Sequence, residues 1–243
     1  KNKTVLMQYP AGRSEKAYKI PESVTSIGGE AFYGCSSLTS IDLPAGLTSI
    51  GDYAFSSCDN LTSIALPAGL TSIGDFAFFR CGLTSIEIPD SVTSIGATAF
   101  SRCSSLTSIA LPAGLTSIGA AAFSYCNSLT SIVLPAGVTN IGHSVFEYCS
   151  SLVSITFYNP ETEIDSEISI PESTVIYGYE DSTAQTYAQM YNNEFVSLGE
   201  YKPHAHEYSS SVTKPATCKE AGVKTFTCSC GDSYVDNYVA ALG

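Results

Sequence analysis

The chain has 243 residues, of which 44 % are hydrophobic and only 14 % charged, and its formal net charge is −12. This composition excludes a disordered chain, which would be richer in charge and poorer in apolar residues. The acidic balance also argues against nucleic acid as a partner, because phosphate binding requires clustered Lys and Arg, and Arg80 and Arg102 are the only Lys or Arg between Ile20 and Phe157.

Residues 1–19 precede a long internal repeat and do not follow its pattern. We expect them to form an N-terminal cap, because the open edge of the first unit of a stacked array has to be covered. The chain opens with Lys1 and not Met, so we expect a mature or trimmed fragment, in which a missing leader says nothing about export. No apolar run has the length of a transmembrane helix.

Residues 20–157 consist of six copies of the pattern I/LP-x-x-L/V-T-S-I-G-x-x-A-F-x-x-C-x-x-L-T-S-I-x-L. Three columns mark the copies: Pro21, Pro44, Pro67, Pro89, Pro112 and Pro135; Ile27, Ile50, Ile73, Ile95, Ile118 and Ile141; Cys35, Cys58, Cys81, Cys103, Cys126 and Cys149. All three columns advance in steps of 23, 23, 22, 23 and 23 residues, and the short step comes from the linker Arg80-Cys81-Gly82-Leu83. A period of this length is typical of solenoid proteins.

Each copy carries the parts of one solenoid coil. The run Leu38–Leu43 predicts a strand with alternate apolar residues inward, and Leu47–Gly51 predicts a second short extended segment. Asp52–Cys58 predicts a short helical turn whose Phe and Cys point inward. One coil cannot bury its apolar face alone. We therefore predict an α/β-type solenoid, a right-handed leucine-rich-repeat coil of six repeats of about 23 residues, β-rich with short helical turns and capped at both ends.

The string T-S-I-G-x-x-A-F-x-x-C-x-x-L-T-S-I-x-L-P resembles the BspA-like leucine-rich repeats of bacterial surface proteins, found in anaerobes of the gut and mouth. The resemblance covers all six copies and extends to both flanks. It implies export, surface display and binding of an extracellular protein or glycan of a host or another microbe. It names no ligand, because binding varies among members of the family.

The six repeat cysteines are expected to be buried structural thiols. Residues in stacked strands lie about 4.8 Å apart, which is within reach of a disulfide, but their Cβ vectors run parallel and do not converge. The alternatives are adventitious bridges or a bound metal.

Residues 158–200 depart from the period and predict a C-terminal cap of strand, helix and strand. Thr174–Tyr177 is the first strand, Ser182 is the N-cap of a helix over Thr183–Asn192, and Glu194–Leu198 is the last strand. Residues 201–243 differ in composition and resemble a small Cys-containing β module that follows such arrays, although this chain has Cys228-Ser229-Cys230-Gly231 where the family has C-x-x-C-G.

That module contains residues with metal-ligating chemistry. They are His204, His206, Cys218, Cys228 and Cys230, which could supply four ligands for zinc. The spacing is not that of a standard zinc finger, so we favour a disulfide from Cys218 to Cys228 or Cys230 and expect no cofactor. Reduced structural cysteines are the third interpretation.

Catalytic residues are not predicted. Each copy carries a strand serine, but His143 is the only histidine of the array, no G-x-S-x-G elbow occurs, and the glycines form no phosphate-binding motif. A carbohydrate-active enzyme would need paired carboxylates at a cleft, and the repeat offers neither.

A binding surface is predicted where the repeat varies, on the edge formed by the two residues after each Ala-Phe and the aromatic residues beside them. The residues singled out are Phe76, Phe79, Arg80, Arg102, Tyr125 and Tyr148. Arg and Tyr are favoured anchors at interfaces, whereas the strand face carries mainly Ser, Thr and Ala. Ordinary variation between repeats is the simpler interpretation of the same positions.

The sequence thus favours a secreted or cell-surface binding protein, monomeric and without catalytic activity. The alternative is a structural spacer or display scaffold of the cell envelope with no specific ligand. A carbohydrate-active enzyme is a distant third.

Overall fold

A computed structural model describes residues 4–10, 14–165 and 167–201, together with the backbone of three strands at 208–214, 222–228 and 233–238. The chain divides into two compact units, Lys1–Tyr201 and Lys202–Gly243. The first unit contains the repeats.

The first unit is built from short strands and one helix. In chain order the strands are β1 (Val5–Leu6), β2 (Ala17–Lys19), β3 (Ser26–Ile27), β4 (Ser40–Asp42), β5 (Ser49–Ile50), β6 (Ser72–Ile73), β7 (Ser85–Glu87), β8 (Ser94–Ile95), β9 (Ser108–Ala110), β10 (Ser117–Ile118), β11 (Ser131–Leu134), β12 (Asn140–Ile141), β13 (Ser154–Phe157), β14 (Glu163–Ile164), β15 (Val175–Gly178) and β16 (Phe195–Ser197). The helix α1 (Thr183–Tyr191) lies between β15 and β16.

These strands form a parallel-strand solenoid of about eight coils. One sheet runs through all of them in the order β1-β3-β5-β6-β8-β10-β12-β14, and its paired strands are parallel. Equivalent residues of successive repeats are in register, as in Ile27 opposite Ile50. Six strands come from the six repeats, which we number coils 1 to 6 by their cysteines from Cys35 to Cys149. The outer two strands, β1 and β14, come from the flanks.

The Thr-Ser-Ile-Gly run forms this continuous sheet because both its side chains and its backbone bond to the preceding coil. The hydroxyl of Thr48 donates to the carbonyl oxygen of Thr25 at 3.0 Å. The hydroxyl of Thr71 donates in the same way to the carbonyl oxygen of Thr48, also at 3.0 Å. The amide of Gly51 donates to the carbonyl of Ile27 at 2.9 Å. Each coil is therefore held by its neighbour, as expected for a repeat that cannot fold alone.

The strands of the Leu-Thr-Ser-Ile-x-Leu run form the other side of each coil, and their ladder is interrupted. The sheets on this side are β2-β4, β7-β9 and β11-β13-β15-β16. The corresponding residues 62–65 of coil 2 form no strand. We call this face the strand side.

The third segment of each coil is not helical, so the predicted helical turn at Asp52–Cys58 is wrong. Two of its residues, Tyr53 and Ser57, adopt left-handed backbone conformations with φ of 56° and 60°, which a right-handed helix excludes. The amides alternate in direction: that of Cys58 bonds within the turn to Phe55, at 3.2 Å, whereas that of Phe55 bonds to Ala77 in the next coil, at 2.8 Å. Bonds between coils thus replace helical bonds within the segment.

Both flanks continue the coil. β1 pairs with β3 and β2 with β4 at the N-terminal end, while β14 pairs with β12 and β15 with β13 at the other. In the C-terminal flank the oxygen of Ser182 accepts a bond from the amide of Gln185 at 3.2 Å, so Ser182 caps α1 as expected from its sequence. The role of residues 1–19 and 158–200 as caps stays a prediction.

The second unit contains a three-stranded antiparallel sheet in the order β17-β18-β19. Its strands are β17 (Tyr208–Lys214), β18 (Gly222–Cys228) and β19 (Ser233–Tyr238).

Candidate binding surface

Each repeat coil exposes two columns of residues with left-handed backbone on its turn segment. The first column is Glu30, Tyr53, Phe76, Thr98, Ala121 and Ser144. The second column is Gly34, Ser57, Arg80, Arg102, Tyr125 and Tyr148, with φ between 57° and 68°. All but one of these twelve positions are occupied by residues other than glycine, for which this conformation is uncommon.

The inner side of the same segment is uniform. One phenylalanine per coil is fully buried and stacks on the next, and the members of this stack are Phe32, Phe55, Phe78, Phe100, Phe123 and Phe146. Successive ring centroids lie 5.1 to 6.1 Å apart. The buried stack fixes where each turn segment lies, and hence where its outer side chains are presented.

On the outer side, the first column contributes an aromatic cluster in coils 2 and 3. The rings of Tyr53 and Phe76 stack with centroids 4.5 Å apart and an interplanar angle of 6°. Phe79 meets Phe76 edge-on at 5.7 Å. Both geometries are favourable for aromatic pairs.

The second column contributes a mixed cluster in coils 4 to 6. The guanidinium carbon of Arg102 lies 4.5 Å from the ring centroid of Tyr125, which is a cation–π contact. The other neighbour of Tyr125 is Tyr148, stacked at 4.4 Å. Tyr148 remains 58 % exposed.

A depression of about 470 Å³ joins the two clusters. Its lining residues are Phe79, Arg80, Arg102, Ser104, Tyr125 and Asn127. The structure therefore brings all six residues singled out by sequence into one continuous surface, which we call the turn-side patch: Phe76, Phe79, Arg80, Arg102, Tyr125 and Tyr148. Their role in binding stays a prediction.

Sequence reasoning missed three participants, Asp59, Ser104 and Asn127. The carboxylate oxygen Oδ1 of Asp59 lies 3.4 Å from Nε of Arg80, and both side chains are largely exposed. Ser104 and Asn127 line the depression. All three follow a repeat cysteine by one residue. The variation of this column between repeats is the sequence signal that could have identified them.

The short linker of coil 3 lies at the N-terminal end of the patch. A second depression of about 200 Å³ lies beside Gly82, and Arg80, Arg102 and Ser104 line it as well. The linker of coil 3 packs closely against Asp59 in the linker of coil 2. A Cβ atom at Gly82 would clash with the carbonyl oxygen of Asp59, so only glycine can occupy this position. The one departure from the 23-residue period thus coincides with the two arginines.

The six repeat cysteines are buried and form no disulfide. Five of the thiols, those of Cys58, Cys81, Cys103, Cys126 and Cys149, donate to carbonyl oxygens of the preceding coil; the sulfur of Cys103, for example, lies 3.0 Å from the oxygen of Phe78. Burial raises the pKa of Cys103 to about 12 and that of Cys35 to about 11. The thiols of Cys103 and Cys35 are therefore protonated at neutral pH and poor nucleophiles.

The candidate metal ligands are not tested by the structure. His204, His206, Cys218 and Cys230 lie outside the described residues, and only the backbone of Cys228 is described, at the end of β18. Within the described part of the chain, no group of three or more His, Cys, Asp or Glu side chains is placed to hold a metal ion.

A membrane-spanning helix was not expected from the sequence. In the residues that the structure describes, no helix combines the length and apolar character needed to cross a bilayer.

The family model for the BspA type leucine-rich repeat region matches residues 12–82 and 71–172, with six copies. These matches cover more than half of the chain, which therefore belongs to the BspA-type leucine-rich repeat family. No curated protein matches the chain significantly.

Solved structures of bacterial leucine-rich repeat proteins resemble the chain. The T. pallidum leucine-rich repeat protein is 33 % identical with a TM-score of 0.59, over 68 % of this chain and 84 % of that protein. The pneumococcal vaccine antigen PcpA is 24 % identical with a TM-score of 0.53, over 81 % of this chain and 45 % of PcpA, and shows the fold alone. A Bacteroides ovatus leucine-rich repeat protein is 27 % identical with a TM-score of 0.49, over 76 % of this chain and 63 % of that protein.

Proposed function

We propose that this chain is an exported, non-catalytic recognition module that binds a protein or glycan of a host or another microbe through the turn-side patch. Its membership of the BspA-type family supports export and surface display, because such repeats occur in bacterial surface proteins.

The proposal rests on which side chains occupy the second left-handed column. Gly34 shows that glycine fits this column, and glycine adopts the conformation without steric cost. Other residues pay about 1–2 kcal/mol there, yet coils 3 to 6 hold Arg80, Arg102, Tyr125 and Tyr148. The first column has the same backbone under Glu30, Thr98, Ala121 and Ser144, so what distinguishes the second column is its Arg and Tyr side chains, which are favoured anchors at interfaces.

The strand side lacks comparable anchors. Within the six repeats its outward positions carry mainly small polar residues, and the large exposed apolar side chains there are the valines Val133 and Val153; Tyr158 and Leu198 are exposed just beyond β13 and β16. Neither valine forms part of an aromatic or cationic cluster. The contrast favours the turn side as the recognition surface.

The test is a binding screen of the intact chain against mucin, extracellular-matrix proteins and arrayed glycans. The informative variant is Tyr125→Ala with Tyr148→Ala, and the matched control is Val133→Ala with Val153→Ala on the strand side. Loss of two interface anchors should weaken saturable binding at least about tenfold, while the control binds as the parent does. Thermal unfolding midpoints of all three proteins show whether they are equally folded.

Two outcomes contradict the proposal. Equal weakening by both double variants removes the preference for the turn side. No saturable binding to any member of the panel supports the spacer interpretation.

A further inference from the structure

The positive charge of the repeat array is concentrated at one place. Arg80 and Arg102 are the only Lys or Arg in residues 20–157 of a chain with net charge −12. They occupy the same column of consecutive coils and line both depressions of the turn side. Because two arginines at equivalent positions of consecutive coils repel each other, chance variation within an acidic array does not favour this arrangement.

We propose that the two arginines and the depressions between them form a site for an acidic glycan, a sugar chain carrying carboxylate or sulfate groups. The inference rests on the proposed function, because it assigns a ligand chemistry to the turn-side patch. The arginines would bind the acidic groups and the neighbouring aromatic and polar side chains would bind the sugar.

The electrostatics of the two arginines differ in a way that suits an external anion. Arg80 already has a partial partner in Asp59, with 3.4 Å between Nε and Oδ1. Among the described residues Arg102 has no carboxylate at ion-pair distance, and its guanidinium carbon lies over the ring of Tyr125. A cation–π contact does not use up the hydrogen-bonding capacity of the guanidinium, whose N–H groups can bind carboxylate or sulfate oxygens.

The remaining lining suits a sugar. Phe79 supplies apolar surface for the C–H groups of a sugar ring, while Ser104 and Asn127 supply hydrogen-bonding groups for its hydroxyls. The volume of about 470 Å³ lies within the range of about 300–1,000 Å³ found for small-ligand sites. A mainly apolar wall with a few convergent polar groups is the usual composition of such sites.

The backbone of the patch favours a glycan over an acidic peptide. The amides of Arg80, Arg102 and Tyr125 all donate to carbonyls of the next coil, at 2.9, 2.8 and 2.8 Å. An extended peptide that binds as an added strand requires free main-chain donors, and these amides offer none. Recognition here must rely on side chains.

The test is a titration of the intact chain with four defined probes: a sulfated heparin hexasaccharide, an oligogalacturonate, a neutral cello-oligosaccharide and a poly-glutamate peptide. We expect one or both acidic sugars to bind, more weakly as salt rises, and the neutral sugar and the peptide to bind at least about tenfold more weakly. Equal binding of the neutral sugar, or of poly-glutamate, would overturn the assignment.

Charge variants sharpen the test. Arg80→Gln with Arg102→Gln should reduce affinity for the acidic sugar at least about tenfold, whereas Lys19→Gln, which removes an exposed cation outside the patch, should not. Asp59→Asn should increase affinity about two- to fivefold, because it frees Arg80 from an exposed ion pair. Unchanged affinity in the arginine variant, with an unchanged unfolding midpoint, would refute the site.

The two proposals fail in different ways. If the arginine variant keeps full binding to a mucin or matrix ligand that the tyrosine variant loses, the acidic-glycan site is wrong and the turn-side surface stands. If neither variant affects binding, both are wrong.

Discussion

The inner and outer sides of the turn segment obey different constraints although they are a few residues apart. Inward, every coil has the same phenylalanine and the same cysteine, all buried. Outward, the second left-handed column runs from Gly34 through Ser57 and two arginines to two tyrosines. The inner residues are determined by packing against identical neighbours, whereas the outer residues are not.

In a repetitive array, the positions that packing leaves open are the ones at which to look for function. A position that packing determines carries little information about a ligand. More information about a ligand comes from a position that packing leaves open and whose side chain is uncommon for its backbone conformation. Three predictions test whether the inner and outer sides differ in the way described.

The largest effect is expected in the buried stack. Phe100→Ala removes a fully buried ring between Phe78 and Phe123 and should lower the free energy of unfolding by about 3–5 kcal/mol. Tyr148→Ala on the outer side loses one exposed stacking contact and should cost less than about 1.5 kcal/mol. Denaturant unfolding measures both, and similar costs would contradict the contrast.

The second effect is a pH dependence of the inner side. Burial raises the pKa of the Cys103 thiol from 9.0 to about 12, so between these values the unfolded chain loses a proton that the folded chain keeps. The free energy of unfolding should therefore fall as pH rises in this window, by about 1.4 kcal/mol per pH unit for each such thiol.

The variant Cys103→Ala isolates the contribution of this thiol to the pH dependence of the free energy of unfolding. Between about pH 9.5 and 11 the free energy of unfolding should fall less steeply with pH in this variant than in the parent. The two slopes should differ by about 1.4 kcal/mol per pH unit. Parallel curves for variant and parent would show that the thiol is not buried as described.

The smallest effect concerns the outer column itself. Ser57→Gly replaces a residue with φ of 60° by one that adopts this conformation freely, and should raise the free energy of unfolding by about 0.5–1 kcal/mol after the entropic cost of glycine. Ser56→Gly, next to it but buried and without positive φ, should lower that free energy. A decrease for both would show that the left-handed column is not strained.

The repeat and its inner residues were predictable because the spacing of the cysteines, prolines and isoleucines is nearly invariant. The conformation of the turn segment was not predictable from the sequence. Asp52–Cys58 contains residues compatible with a helix, and the bond from the amide of Phe55 to Ala77 in the next coil cannot be read from local preference. The continuation of the coil at Glu163–Ile164 was also missed, because this strand lacks the Thr-Ser-Ile signature.

The membership of the turn-side patch followed from aligning equivalent positions of successive coils, which brings Arg102, Tyr125 and Tyr148 close together. The particular contacts did not follow, because they depend on side-chain rotamers and on the left-handed backbone of the column. The ion pair of Arg80 with Asp59 joins different columns of neighbouring coils, and only the three-dimensional structure shows them to be adjacent.

The bonds between coils, such as that from the amide of Arg80 to Ser101, also give the array a mechanical character. Under tension between its ends, a repeat held only by its neighbours detaches as a unit. Each detached coil of 23 residues releases roughly 80 Å of chain. An array loaded in this way would lengthen in discrete steps, and the coils that carry the patch would be lost singly and not all at once.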